Sequence, residues 1–314
     1  MENDFSQLDW NDAVAEDCRQ LVRLAVREDL DRFHDWTTVA LVPPDAVGRA
    51  ALVCREPLVV AAMRAAELAL AEMDARVAWE PHVADGATAQ AGTTLAVISG
   101  PARSLLTTER IALNLLGRLC GIASLTRRYV DAVAGTKARI YDTRKTTPGW
   151  RRLEKYAVRQ GGGHNHRTGL FDAVLIKDNH LAFGQQGDST ARFSPGEAVT
   201  RAREFLADMA TGLPRGTPPL DKLIIEVEVD SLEQLANVLP ANPDIVLLDN
   251  MSPAMLAEAV AVRDRAGSQA ELEASGGVNL DTVRGIADSG VDRISVGRLT
   301  HSAVSYDIGL DWRY

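Results

Sequence analysis

Basic residues are concentrated in the segment between Asp142 and His180. This segment holds eight arginine and lysine side chains but only four carboxylates, whereas the whole chain has a formal net charge of −9. Arginine forks bind carboxylates and phosphates through paired hydrogen bonds. Because an acidic chain repels phosphate backbones at long range, we expect this positive charge to act locally, in a cleft, and not on nucleic acid or a membrane surface.

Three carboxylates follow at strand-like positions. Glu226 and Glu228 lie two residues apart in an apolar segment, so on a strand they share one face, and Asp249 ends the next such segment. Carboxylates beside a phosphate site hold Mg²⁺ together with substrate oxygens, and they can also stabilise a developing cation. Ion pairs with nearby basic residues are compatible with both interpretations.

Glycine-rich sequences close the last two predicted strands. They read ASGGVN, with Ser275, Gly276 and Gly277, and SVGR, with Val296, Gly297 and Arg298. Glycine lets the backbone approach a phosphate closely, and barrel enzymes often bind phosphate at their final two loops. Ordinary tight turns would explain each motif alone, but the pair on consecutive strands indicates phosphate binding.

Histidine and lysine allow further chemistry in the basic segment. His164 and His166 suggest a metal site, but no third histidine or cysteine follows at a usual spacing, so His166 is better interpreted as an anion or ring contact. Lys145 or Lys177, crowded by other cations, could instead form a Schiff base. The residues therefore indicate a Mg²⁺-dependent enzyme with a phosphorylated substrate and a second, carboxylate-rich substrate.

Six segments read as strands, and each is apolar at its start and polar or glycine-rich at its end. They cover residues 138–144, 173–180, 223–230, 244–250, 271–277 and 293–297. Helical segments between them, two of which open with Ser-Pro at Ser194 and Ser252, imply a parallel sheet covered by helices. We expect a barrel-like arrangement with the site at the carboxyl ends of the strands; a doubly wound open sheet is the alternative.

The first 135 residues read differently, because helices there alternate with short strands. A long helix is predicted from about Thr107 to Val133, with Gly117 and Gly121 on one face where another element can approach closely. Three widely spaced cysteines, an acidic amino terminus and no long apolar run favour a soluble, cytoplasmic protein. We predict a mixed α/β domain over 1–135, rejoined by 299–314, and a catalytic barrel over 136–298.

Long motifs, in order, make the chain resemble the quinolinate phosphoribosyltransferase family from about Glu28 onwards. They are DWTTVALVP, DTRKTTPG, EKYAV, GGGHNHR, LIKDNH, IEVEVD, LLDN, EASGGV and SVGRLTHSA. The resemblance implies an incomplete α/β barrel of six to seven strands with a separate mixed α/β N-terminal domain. It also implies that quinolinate and phosphoribosyl pyrophosphate form nicotinate mononucleotide, pyrophosphate and CO₂, with Mg²⁺, in NAD biosynthesis.

The resemblance also assigns roles to individual residues. Arg144, His166, Arg167 and Lys177 would bind the quinolinate carboxylates, with Thr143 among the substrate-binding residues. Catalytic roles fall on Lys145, between the two substrates, and on Glu228 and Asp249, which face the ribose and its metal ions. The 5-phosphate would be bound by Ser275, Gly276, Gly277, Val296 and Gly297, and Arg298, which the family pattern does not supply, could add a cation to that binding. Arg110 would reach the site of the other subunit in a homodimer, so that the active site is shared.

Two features depart from the family pattern. Residues 181–222 look like an insertion with a mobile loop at 212–219, and Arg298 stands where a small or different residue is expected. Three alternatives stay open: a related pyrophosphorylase-like protein associated with molybdenum transport, a phosphosugar lyase that uses a Schiff base, and a non-catalytic phosphometabolite sensor.

Overall fold

The computed structural model describes residues 4–184, 192–211 and 220–313, so the predicted loop at 212–219 lies outside the described residues. The chain forms two compact units. The first, called here the barrel unit, contains the chain up to Ser6, Asp131–Arg144 and Asn165–Val296. The second, called here the sheet unit, contains Gln7–Val130, Lys145–His164 and Gly297–Tyr314.

The barrel unit is built on six parallel strands, one for each segment predicted from the sequence. They are β6 (Arg139–Tyr141), β7 (Val174–Ile176), β8 (Ile225–Val229), β9 (Ile245–Asp249), β10 (Glu271–Ser275) and β11 (Arg293–Ser295). Their spatial order is β6-β11-β10-β9-β8-β7, so each strand lies beside its neighbour in the chain except that β6 pairs with β11. The two edges, β6 and β7, are the pair that would close a ring, and the predicted incomplete barrel is confirmed.

Helices connect these strands, as parallel pairing requires. They are α6 (Asp178–Phe183), α7 (Pro195–Thr211), α8 (Leu232–Val238), α9 (Pro253–Arg265) and α10 (Val283–Asp288), with 3₁₀ turns at Leu220–Lys222 and Leu239–Ala241. Both predicted Ser-Pro starts are confirmed. Ser194 and Glu197 bond reciprocally at the start of α7, and the Ser252 side chain accepts from the Met255 amide at the start of α9.

Charged side chains fill part of the barrel unit's interior. The fully buried guanidinium of Arg293 donates to Asp4 at 3.0 Å, to Glu271 at 2.6 Å and to Glu273 at 3.1 Å. It also lies 3.7 Å from the ring centroid of Tyr141. Burial opposes this charge, but Glu273 and the other acids raise the pKa of Arg293 above its usual value. Glu273, which belongs to this interior network, also lies near His166.

The sheet unit contains a four-stranded antiparallel sheet in the order β12-β1-β5-β3 and a small pair of strands, β2 and β4. The strands are β1 (Val47–Cys54), β2 (Leu58–Val59), β3 (Ala78–Pro81), β4 (Thr88–Ala89), β5 (Thr94–Pro101) and β12 (Ile308–Arg313). The carboxyl-terminal strand β12 pairs with β1 from Cys54 opposite Ile308 to Arg49 opposite Arg313. Residues at the end of the chain thus belong to the same sheet as its first strand.

The helices of this unit are α1 (Asp12–Leu30), α2 (Trp36–Leu41), α3 (Met63–Met73), α5 (Arg151–Gln160) and α11 (Arg298–His301), together with most of α4 (Ala102–Ala132). Of these, α3 and α4 pack apolar faces into one core with the sheet, in which Leu52, Leu95, Ile98 and Leu116 are buried. The prediction placed the start of α4 near Thr107, but the helix begins at Ala102. Gly100 and Pro101, a pair that usually marks a turn, end β5 here, and the helix follows at the next residue.

The predicted glycine face of α4 is confirmed. A Cβ on Gly117 would lie 2.7 Å from the carbonyl oxygen of Tyr306, and one on Gly121 would overlap the carbonyl oxygen of Val304. The Tyr306 amide donates to the Gly117 carbonyl at 3.0 Å. The chain between α11 and β12 therefore lies directly on the backbone of α4, an approach that only glycine allows here.

Candidate active site

Polar residues stand at the carboxyl ends of all six strands of the barrel unit. Asp142 and Arg144 follow β6, Lys177 follows β7, Glu228 and Asp249 lie at the ends of β8 and β9, and Ser275 ends β10. The amide of Val296, just after β11, donates to the Tyr141 carbonyl at 2.8 Å. Because the six strands are parallel, these residues lie at the same edge of the sheet, as the sequence predicted.

Asp142 organises the segment that carries His166. Its buried carboxylate accepts from the side-chain amide of Asn165 at 2.7 Å and from the backbone amide of His166 at 2.9 Å. Asp172 fixes the next residues by accepting from the backbone amides of Thr168 and Gly169. These two carboxylates hold a segment without regular secondary structure in one conformation at the mouth of the barrel unit.

Two guanidinium groups lie near each other in this segment. Arg167 is only 8% exposed. Burial first, and then the positive charge of Arg144, lower the pKa of Arg167 below its usual value, while Glu226 and Asp172 act in the opposite direction. Two cations that repel each other in a partly buried place are well arranged to bind an anion. Thr143, between Asp142 and Arg144 in the chain, is half-buried.

His166 is buried, and protein groups contact both of its ring nitrogens. The Arg167 amide donates to Nδ1 at 2.8 Å, and Nε2 lies 2.9 Å from Glu226 and 3.5 Å from Glu273. Phe5 stacks on the ring with centroids 4.3 Å apart. Since Nδ1 accepts a hydrogen bond, the proton of a neutral ring is on Nε2 and points to the two glutamates.

The same three residues, His166, Glu226 and Glu273, are spaced closely enough to surround a metal ion. A metal would need the lone pair of Nε2, but the Arg167 hydrogen bond leaves the ring proton there. Burial first, and then the Glu226 carboxylate, raise the pKa of Glu273 above its usual value. The geometry thus favours a shared proton over a metal ion among these groups.

Glu228 and Asp249 offer the oxygen donors for the predicted Mg²⁺. Glu228 pairs with Lys177, and Asp249 accepts from the Asn250 side-chain amide at 2.8 Å. Both carboxylates are half-buried, and they end neighbouring strands. Hard cations of this kind take carboxylate, water and substrate phosphate oxygens, so the donor set fits Mg²⁺ that arrives with a phosphorylated substrate.

The ASGGVN motif forms a tight turn after β10. Gly276 has a φ of +93° and Gly277 a φ of +62°. A Cβ on Gly276 would overlap the side chain of Asn250 and lie 3.1 Å from its backbone nitrogen. The Asn250 amide in turn donates to the Ser275 carbonyl at 2.9 Å. The ends of β9 and β10 are therefore in contact, and both glycines remain exposed for a ligand.

The remaining predicted residues belong to the sheet unit. Gly297 caps α11, and the Lys145 side chain passes over it, since a Cβ there would lie 3.0 Å from the Lys145 Cδ. Lys145 and Arg298 are exposed. Arg110 is exposed on α4, and no hydrogen bond or ion pair joins it to another of the described residues.

Sequence reasoning missed several residues that support the site. Glu273 and Arg293 lie inside strands read only as apolar, although Glu271 and Glu273 alternate as Glu226 and Glu228 do. That period-two repeat was a usable signal. The contact of Phe5 with His166 joins residues far apart in the chain, and no local pattern indicates it.

Helices long and apolar enough to cross a membrane do not occur among the described residues.

Known proteins resemble the chain over almost its whole length. Residues 35–120 match the quinolinate phosphoribosyl transferase N-terminal domain, and residues 122–311 match the C-terminal domain. A carboxylating nicotinate-nucleotide pyrophosphorylase of Mycobacterium leprae is 44% identical over 305 residues, which are 96% of this chain and 99% of the relative. A probable enzyme of that name from Bacillus subtilis is 40% identical over 73% of this chain and 71% of its own length.

A solved structure has the same fold as this chain. The nicotinate-nucleotide pyrophosphorylase of Francisella tularensis superimposes with a TM-score of 0.86 at 31% identity, covering 99% of this chain and 100% of that one. The two matched domains and these relatives leave one assignment: the chain belongs to the quinolinate phosphoribosyl transferase family.

Proposed function

We propose that the protein is the transferase that forms nicotinate mononucleotide from quinolinate and phosphoribosyl pyrophosphate, releasing pyrophosphate and CO₂ for NAD biosynthesis. The observation that carries the proposal is the pair Arg144 and Arg167: burial first, and then repulsion by Arg144, lower the pKa of Arg167. A dicarboxylate would remove that repulsion and meet two guanidinium forks. Lys177 and, by resemblance, His166 complete the proposed quinolinate site.

The proposed chemistry relies mainly on positioning and charge. The cations hold the pyridine ring with its nitrogen toward the anomeric carbon, and the carboxylates of Glu228 and Asp249 stabilise positive charge that develops on the ribose. As the ring nitrogen bonds to the anomeric carbon, the bond from that carbon to pyrophosphate breaks. The adjacent carboxylate then departs as CO₂, the cationic ring stabilises the electron pair left on the ring carbon, and that carbon takes a proton from solvent. Lys145 is proposed to lie between quinolinate and the pyrophosphate.

The remaining proposed contacts concern the phosphorylated sugar. Ser275, Gly276 and Gly277, with Val296, Gly297 and Arg298, would bind the 5-phosphate through backbone amides and one cation. Glu228 and Asp249, directly or through water, would hold Mg²⁺. When bound, the ion neutralises charge on the pyrophosphate leaving group.

A homodimer with a shared site is part of the proposal. Arg110 is exposed and has no charged partner among the described residues, so its guanidinium is available to a second subunit. Around the same end of α4, Phe33, Trp36 and Leu41 expose large apolar side chains. Surfaces of this kind favour association. Three free, buried cysteines agree with the proposed cytoplasmic location.

Substrate comparison tests the function. Purified protein with Mg²⁺ and phosphoribosyl pyrophosphate is given quinolinate or nicotinate, and nucleotide formation is followed. We expect nucleotide from quinolinate alone. Nucleotide from nicotinate alone would overturn the substrate assignment but keep the phosphoribosyl transfer. No product from either acid would favour the molybdenum-associated relative or a sensor.

A further inference from the structure

Three segments of the sheet unit meet at one guanidinium in the middle of α4. Arg118 donates from Nε and Nη2 to the same oxygen of Glu154, at 3.3 Å and 2.8 Å. Its Nη1 donates to the Ala303 carbonyl at 2.8 Å, and its Nη2 also contacts the Thr300 carbonyl. One side chain thus joins α4 to α5 and to the end of α11.

Glu154 extends this connection to the loop that follows Lys145. Its fully buried carboxylate accepts from the Thr147 amide at 3.2 Å and from the Thr147 hydroxyl at 2.9 Å. A buried carboxylate needs such donors, because leaving it without them costs several kcal/mol. These bonds give a structural reason for a charged residue at Glu154, in EKYAV, and a polar residue at Thr147, in DTRKTTPG. Neither residue has a proposed contact with substrate.

Thr300 completes the connection by bonding Lys145 itself. Its hydroxyl oxygen lies 2.7 Å from the Lys145 carbonyl oxygen and 3.2 Å from the Gly297 carbonyl oxygen. The hydroxyl has one proton to donate, and the shorter distance favours the bond to Lys145. Thr300 is fully buried in α11. The Lys145 backbone is therefore attached to the helix whose first residues are Gly297 and Arg298, while its side chain passes over Gly297.

We propose that Arg118, Glu154 and Thr300 are positioning residues, which set Lys145 against Gly297 for the reaction without touching substrate. The inference rests on the proposed function of Lys145. Its basis is that Arg118 and Glu154 bond each other, and their other bonds, with those of Thr300, end on the Lys145 carbonyl, on the loop next to it, or on α11 and the residues just after it. Misplacement of a reacting group by about 1 Å lowers turnover by roughly a hundredfold.

The test replaces the Thr300 hydroxyl. Thr300→Val keeps the approximate volume of the side chain and removes the hydroxyl, with its bond to Lys145 and its longer contact to Gly297, and Thr300→Ser restores the hydroxyl. Thr126→Val is the matched control, because Thr126 is also fully buried but its hydroxyl donates to the Ile122 carbonyl of its own helix. We expect Thr300→Val to lower kcat at least about tenfold, to change the KM for quinolinate by less than about twofold, and Thr300→Ser to recover most of the loss.

A spectroscopic measurement separates positioning from stability. The chain has five lysines, so reductive ¹³C-methylation gives few NMR signals, and Lys145→Arg identifies that of Lys145. We expect the signal to move in Thr300→Val and in Thr147→Val, but not in Thr126→Val. An unmoved signal, or a Thr300→Val enzyme as active as the wild type, would overturn the proposal. Failure of the wild type to use quinolinate would instead reject the proposed function.

Discussion

At the residue scale, the proposed substrate contacts are charged side chains that come from separate parts of the chain. Arg144, Lys177, Glu228 and Asp249 could be identified because polar residues follow apolar strand segments, and Arg167 because it lies in the basic segment between Asp142 and His180. Which groups pair could not be read, since Lys177 and Glu228 are 51 positions apart and meet only through β7 and β8. The buried glutamates around His166 likewise depend on how β8 and β10 lie beside the His166 segment, not on local pattern.

Replacing Arg167 with lysine tests the guanidinium pair. We expect Arg167→Lys to lower kcat/KM for quinolinate by roughly a hundredfold, because an ammonium group cannot make two parallel bonds to a carboxylate. Arg284→Lys is the control: Arg284 pairs with Asp288 on an exposed helix face. Steady-state kinetics measure both, and equal small losses would remove Arg167 from the site.

The turn after β10 gives a second prediction. We expect Gly276→Ala to raise the KM for phosphoribosyl pyrophosphate about tenfold or more, because the new Cβ displaces Asn250 and the turn that would bind the 5-phosphate. Gly267→Ala is the control, because Gly267 also has a positive φ but no atom lies within 4 Å of a Cβ built there. It should lose about 1 kcal/mol of stability with an unchanged KM. A normal KM in Gly276→Ala would contradict the assignment of this turn to phosphate.

At the element scale, periodicity and capping residues predicted the six parallel strands and the starts of α7 and α9. They misplaced the start of α4, because a Gly-Pro pair usually marks a turn but here ends a strand. The strand order of the four-stranded antiparallel sheet in the sheet unit could not be predicted from the sequence. Its outer strand β12 comes from the end of the chain, and such pairing carries no local signal.

Two helical glycines give opposite predictions. Gly121→Ala should lower the free energy of unfolding by about 3 kcal/mol, because the methyl group overlaps the Val304 carbonyl. Gly285→Ala in α10 should raise it by about 0.5 kcal/mol, since the nearest atom lies 4.0 Å away and alanine favours a helix. Urea titrations measure both, and equal effects would mean that the close approach at Gly121 is absent.

The start of β11 predicts a pH effect on stability. Burial opposes the charge of Asp292, but the Leu272 amide, Lys137 and Arg263 lower its pKa below the usual value. An acid whose pKa is lower in the folded state stabilises the protein above its unfolded pKa, near 4, and loses that contribution as the pH falls through the folded value. Asp292→Asn should therefore lower stability by roughly 2 kcal/mol at pH 7 and by progressively less as the pH falls below about 4. A difference independent of pH would contradict this.

At the scale of the whole molecule, an acidic chain concentrates its positive charge in one segment. That distribution predicted the kind of substrate from the sequence, because charge counts need no knowledge of packing. The proposed dimer, by contrast, could not be predicted from charge or composition. Arg110 reads as an ordinary surface residue of a helix, and only resemblance gives it a role in a second subunit.

Mixed dimers test the shared site. Arg110→Ala and Lys145→Ala subunits should each be nearly inactive alone. After unfolding and refolding together, random pairing should restore about a quarter of the wild-type activity, because half of the dimers then carry one intact site of two. Light scattering should confirm that dimers form. Mixed dimers without recovered activity would show that Arg110 does not act across an interface.

The central claim is that the cations around Arg144 and Arg167 select a pyridine dicarboxylate whose second carboxylate is lost in the reaction. The most direct measurement is the ratio of CO₂ released to nucleotide formed when quinolinate and nicotinate are supplied together in equal amounts. We predict one CO₂ for each nucleotide, because only quinolinate is used. Nucleotide that forms without matching CO₂ would show that the monocarboxylate is accepted and would contradict the account.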